Sequence, residues 1–98
     1  MTHTLRLHEV ANRELGDAAQ YYDVESPGLG SAFIDEVETG FDRILQHPQV
    51  APETRPGIRK VVLARFPYSL IYEVSDEVVW VLAIAHQRKR PFYWDRRR

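Results

Sequence analysis

The 98-residue sequence predicts an α+β domain of order β-α-α-β-β-β, a helical hairpin laid on one face of a small, mainly antiparallel sheet with a short C-terminal tail or helix. Three observations predict it. Apolar residues recur at helical spacing in two blocks between residues 9 and 46, a short alternating run precedes them, and three dense β-type runs follow: IRKVVLARF, YSLIYEV and VVWVLAIA. Hydrophobic residues make up 44% of the chain, which suits one domain over residues 1–98, since about 100 residues bury well over half of their unfolded surface.

Residues 4 to 8 alternate polar and apolar, which places Leu5 and Leu7 on one side of an edge strand. From Glu9 the period lengthens. Ala11, Leu15, Ala18, Ala19 and Tyr22 form one stripe, with Glu9, Arg13, Glu14, Asp17 and Gln20 on the outer face of a helix that ends between Asp23 and Glu25. Ser26-Pro27-Gly28-Leu29-Gly30 breaks the pattern, with Ser26 placed to cap the next helix and Pro27 to fit its first turn. The second helix runs from Leu29 to Gln46 on a stripe of Phe33, Val37, Phe41, Ile44 and Leu45, and its acids Asp35, Glu36, Glu38 and Asp42 read as a solvated face.

His47-Pro48 stops that helix, and Pro48 to Gly57, holding three prolines, reads as a loop. Strands are predicted over Ile58–Ala64, Tyr68–Val74 and Val78–Ala85. Their connections, Arg65-Phe66-Pro67 and Ser75-Asp76-Glu77, are short enough for hairpins, so neighbours pair antiparallel. VVWVLAIA is apolar on both alternating faces, which predicts a strand covered on both sides and the spine of the sheet. Helices cover one face; the other is expected to be partly open and lined by the tail.

Several chemistries are excluded early. Without cysteine there are no disulfides and no thiolate nucleophile; the serines lie in no GxSxG context; and the four histidines show no ligand spacing, so no metal and no cofactor is expected. Gly28-Leu29-Gly30 lacks the lysine of a phosphate-binding loop. The start has no secretion-signal pattern and no apolar run reaches the roughly 18 residues of a membrane helix, which predicts a cytoplasmic protein.

Charge is divided unevenly. Residues 1–54 hold ten acids and three bases, for −7, whereas residues 55–98 hold four acids and ten bases, for +6. Such polarity marks a basic face for a polyanion or an acidic partner. The candidate site therefore comprises Arg59, Lys60 and Arg65 around one strand, and His86, Arg88, Lys89 and Arg90 where the last strand leaves the sheet. Phe92, Tyr93 and Trp94 follow at once. These aromatics either stack against a ligand among the cations or fold back and plug the core.

GSAFIDEVETGFDRILQHP, RKVVLARFPYSLIYEV and VVWVLAIAHQRKRPFYW together resemble the RelE/ParE superfamily of toxins from bacterial toxin-antitoxin modules, over nearly the full length. The resemblance implies the fold above and a small antitoxin that wraps a segment around the toxin. It leaves two activities open. RelE-type members enter the ribosome and cleave messenger RNA without metal, and that reading assigns Lys60, Arg88 and Tyr93 as catalytic. However, Val62 stands where a second family lysine falls, and Ser69 replaces an arginine that would stabilise developing phosphate charge. ParE-type members instead inhibit DNA gyrase through a protein contact. That reading assigns Arg59, Lys60, Arg65, His86, Arg88, Arg90, Tyr93 and Trp94 to binding of target or antitoxin, and fits the incomplete nuclease set better. A module that binds its antitoxin but has lost toxicity is the third alternative.

Overall fold

Helix pairing fixes the first half of the chain. In the computed structural model, which describes residues 3–98, β1 (Thr4–Leu7) leads into α1 (Glu9–Glu25) and α2 (Leu29–Gln46). His8 caps α1, its Nδ1 accepting from the Val10 amide at 3.1 Å. Ser26, expected to cap α2, closes α1 instead, donating its amide to the Tyr22 carbonyl at 2.9 Å. The start of α2 falls to Gly28, whose φ of 89° lies in the left-handed region that side chains resist. Two residues on, Gly30 lets the helices touch: its amide donates to Asp23 Oδ1 at 2.8 Å, and a Cβ there would strike the Ala19 carbonyl oxygen.

The sheet follows as β2 (Glu53–Arg55), β3 (Ile58–Val62), β4 (Tyr68–Ser75) and β5 (Val78–His86), in the order β1-β5-β4-β3-β2. β1 is an edge strand and lies parallel to β5; the remaining pairs are antiparallel. Two expectations need correction. The predicted loop contains the short strand β2, because Gly57, at φ 80°, allows a tight return onto β3. With β2 added to that edge, β4 rather than β5 is the middle strand.

The first core lies between helices and sheet, where Phe33, Val37, Ile44, Leu70, Tyr72, Val79 and Val81 are buried. Each such side chain contributes about 1.5–3 kcal/mol on leaving water. At one end Tyr22, Phe33, Phe66 and Tyr68 pack edge to face, with neighbouring ring centroids as close as 5.0 Å. No helix among the described residues is long and apolar enough to cross a membrane.

A second core on the opposite sheet face settles the fate of the tail. Opposite Ile71 and Tyr72, β5 inserts Leu82 without a strand partner, so Leu82 and Ala83 both join this face while Ile84 returns to the helix side. Ile58, Ile71, Leu82, Ala83, Ala85 and Trp94 form the cluster. Residues after His86 turn back over it and end in a single 3₁₀ turn, Asp95–Arg97. The face expected to be partly open is covered across its middle.

Candidate functional site

Glu14 holds the tail in place. Its Oε1 accepts from the Ile84 amide at 3.1 Å and Arg97 Nη1 at 2.9 Å; its Oε2 accepts from the Tyr93 hydroxyl at 2.7 Å and Arg97 Nη2 at 3.1 Å. Arg97 Nη1 also donates to the Leu82 carbonyl at 3.0 Å. β1 ends opposite Val81, so the edge of β5 beyond it has no strand partner. Glu14 and Arg97 satisfy its backbone instead. Sequence periodicity places Glu14 on the solvated face of α1, yet its side chain is 19% exposed, and Arg97 was not among the candidates.

This staple determines what Tyr93 can do. Burial first, then the hydrogen bond to Glu14 and that carboxylate's charge, raise the phenol well above its ordinary pKa, against a smaller opposing influence from Arg97. The hydroxyl therefore stays protonated, already committed as a donor. Trp94, expected among the binding residues, is 3% exposed and belongs to the second core, so the fold-back reading holds for it. Phe92 remains at the surface in the left-handed region, φ 61°, under the Arg55 guanidinium 3.8 Å from its ring centroid. Arg55 Nε itself has no hydrogen-bond partner, the Asp95 carboxylate lying at 3.7 Å.

The basic residues sort into two groups. Arg59 is structural: Nη1 donates to the Ala51 carbonyl, 2.6 Å away, and Nη2 lies 3.7 Å from Glu53. Arg97 and Arg98 also face carboxylates, Glu14 and Glu73, and Arg98 Nη2 reaches the Pro56 carbonyl at 3.4 Å. By contrast, Lys60, Arg65, Arg88, Lys89 and Arg90 form no ion pair among the described residues.

Part of this second group shares one groove. Lys60, Lys89 and Arg90 line a cleft beneath the turn that starts the tail, with Thr54, Ser69, His86, Gln87 and the Tyr93 ring completing its walls. Ser69 supplies a small hydroxyl and no charge. His86 is half-buried, its Nδ1 accepting from the Arg88 amide at 3.0 Å and its ring meeting Tyr68 edge-on. Arg88 flanks a separate depression beside Pro67, and Arg65 lies in the connection between β3 and β4, its amide donating to Glu36 at 3.0 Å. The arrangement can attract and orient anionic groups, but Lys60, Arg88 and the Tyr93 hydroxyl do not meet at one point. Lys60 stands two strands from β5, roughly 10 Å at about 4.8 Å per strand, while the hydroxyl points past the far edge of β5.

Comparison with known proteins agrees with this architecture. A family model described as the ParE toxin of the type II toxin-antitoxin system parDE matches residues 5–91. Toxin ParE2 of Mycobacterium tuberculosis is 30% identical over 95 residues, covering 93% of this chain and 88% of that protein. Among solved structures, a chain of the chromosomal ParDE system from P. aeruginosa superposes with a TM-score of 0.77 at 21% identity, covering 87% of this chain and 96% of that one. A mutant E. coli toxin RelE in complex with an antitoxin RelBc peptide superposes at 0.69 and 22% identity, covering 98% and 95%. The last two show a shared fold; the family match over residues 5–91 and the 30% identical relative show more, and the chain belongs to the ParE family of type II toxins.

Proposed function

We propose that this toxin acts by occupying a protein target, DNA gyrase, and that a cognate antitoxin keeps it silent by covering it. One observation carries the choice over RNA cleavage: the Tyr93 hydroxyl is bound to Glu14 and held protonated, so the residue a nuclease would use is committed to the fold. Arg88 and Lys60 border different depressions, and Ser69 supplies no cation, so support for a cleaved phosphodiester is incomplete. The unpaired cations Arg65, Arg88, Lys89 and Arg90, with His86 beside them, then serve recognition, where charge steers encounter and sets specificity. Lys60 serves it from within the groove, and Tyr93 shapes the wall.

Timed labelling after induction in cells tests this. If gyrase is the target, DNA synthesis stops before protein synthesis slows. If protein synthesis fails first, with messenger RNA cut at ribosomes, the ribonuclease reading replaces this one. Simultaneous expression of the adjacent antitoxin restores growth; absence of any growth defect from the toxin alone would leave only an inert antitoxin-binding module.

A further inference from the structure

Beside the Glu14–Tyr93 contact, α1, the adjoining ends of β4 and β5 and the tail enclose a recess of about 270 Å³. Asp17 and Tyr21, which follow Glu14 at helical spacing, reach it from the same side of α1. Tyr68 and His86 are register partners across β4 and β5, their ring centroids 5.0 Å apart and their planes at 87°. The Tyr93 ring closes the tail side, and buried Ala18 and Ile84 form the floor. Three phenol rings and an imidazole thus surround one small space.

The acids facing this space differ in what they have left to offer. Glu14 is filled by Ile84, Tyr93 and Arg97. Asp17 has no ion-pair partner among the described residues, and Tyr21 beside it is 59% exposed. The chain already lays one cation here. The Lys89 ammonium lies 5.5 Å from the Tyr93 ring centroid, and its side chain lines both this recess and the groove that holds Lys60 and Arg90.

Aromatic faces carry negative potential and the Asp17 carboxylate adds to it, so the recess favours a cation over a phosphate or a carboxylate. Among cations a guanidinium fits best, because it is planar and weakly hydrated, stacks on rings and donates in pairs to a carboxylate; an ammonium holds its water more strongly. We propose that this recess binds a guanidinium group, carried by an arginine side chain of the target protein, stacked among Tyr21, Tyr68 and Tyr93 and paired with Asp17. Lys89 turns into the neighbouring groove as the guanidinium enters. The arginine's origin in the target rests on the protein-contact reading; the recess and its preference do not.

The first test titrates the full-length toxin with N-acetyl-arginine amide and follows its NMR signals. Saturable shifts at Asp17, Tyr21, Tyr68 and Tyr93 are expected, with Kd on the order of millimolar, as befits one stacked cation with one exposed ion pair. Asp17→Asn and Tyr21→Leu, both at exposed positions and checked for unchanged Tm, should each weaken binding roughly threefold or more. Lys89→Ala should tighten it roughly threefold by removing the competing cation, a gain that a merely structural lysine would not give. N-acetyl-glutamate amide should not bind. Equal binding of that anionic control, unsaturated shifts, or an Asp17→Asn variant that binds as well as wild type would each overturn the site. The second test adds the double variant Asp17→Asn, Tyr21→Leu to purified gyrase, where about tenfold more toxin should be needed to stop supercoiling. Undiminished inhibition by the double variant would overturn the target's arginine as the occupant. A wild-type toxin that binds the arginine amide but leaves gyrase untouched would overturn the protein-contact reading and leave the recess standing.

Discussion

Glu14 and Arg97, 83 residues apart in sequence, meet in a paired contact in which both carboxylate oxygens accept from the guanidinium, at 2.9 and 3.1 Å. The pair closes the exposed edge of β5 and fixes the tail over the second core. The segment after His86, which carries the cations Lys89 and Arg90, is held by this contact together with Trp94 in the second core. Recognition by the basic surface is therefore coupled to the stability of the tail.

Replacement of Glu14 by Gln should loosen the tail without unfolding the sheet. It removes the charge of a largely buried pair, so a loss of about 2 kcal/mol is expected, lowering Tm by roughly 10 °C for a domain of this size. Thermal melts followed by far-UV circular dichroism, with limited proteolysis after His86, check both halves of the statement.

Stability should fall at alkaline pH through Tyr93. Its folded-state pKa lies above the ordinary value near 10, so its contribution is complete below about pH 10 and is lost as pH rises towards the folded pKa. Chemical denaturation should show no decline from this group between pH 8 and about pH 10 and a decline above it, and Tyr93→Phe should be less stable at neutral pH but flatter in its alkaline dependence.

Trp94→Ala should cost about 3–5 kcal/mol, because it empties the centre of the second core formed with Ile71, Leu82 and Ala85. That is a large share of the stability of a small domain. Urea unfolding measures it directly, and a loss under about 1 kcal/mol would mean that the tail packs loosely.

Gly30→Ala tests the helical hairpin. The new methyl would meet the Ala19 carbonyl oxygen, a backbone atom unable to swing aside, as well as Asp23 Oδ1 at 2.8 Å. Forcing the helices apart should cost about 1–3 kcal/mol. Wild-type stability in this variant would show that the two helices can separate at this point without cost.

Elements with local causes were legible in the sequence. α2 begins and ends at the predicted Leu29 and Gln46, since an apolar stripe and His47-Pro48 bound it. The three long strands differ from expectation at their ends: β3 stops at Val62, two residues short of Ala64, while β4 reaches Ser75 and β5 reaches His86. β2 was hidden because a three-residue strand between prolines has no period to detect. Of the candidate site, the cluster at the strand exit was visible as composition. The division between tethered Arg59 and unpaired Lys60 was not, because it depends on Ala51 and Glu53 returning alongside β3. Glu14 looked like any outward acid, and only the closing of α1 against β5 turns it inward.

Supercoiling of relaxed plasmid by purified gyrase, with the refolded toxin titrated in, is the most direct measurement of the proposed action. Gyrase-directed toxicity predicts dose-dependent loss of supercoiling, weakened by combined Arg88→Ala and Arg90→Ala substitution without a change in Tm. Normal supercoiling at saturating toxin, together with messenger RNA cleavage that requires ribosomes, would contradict it.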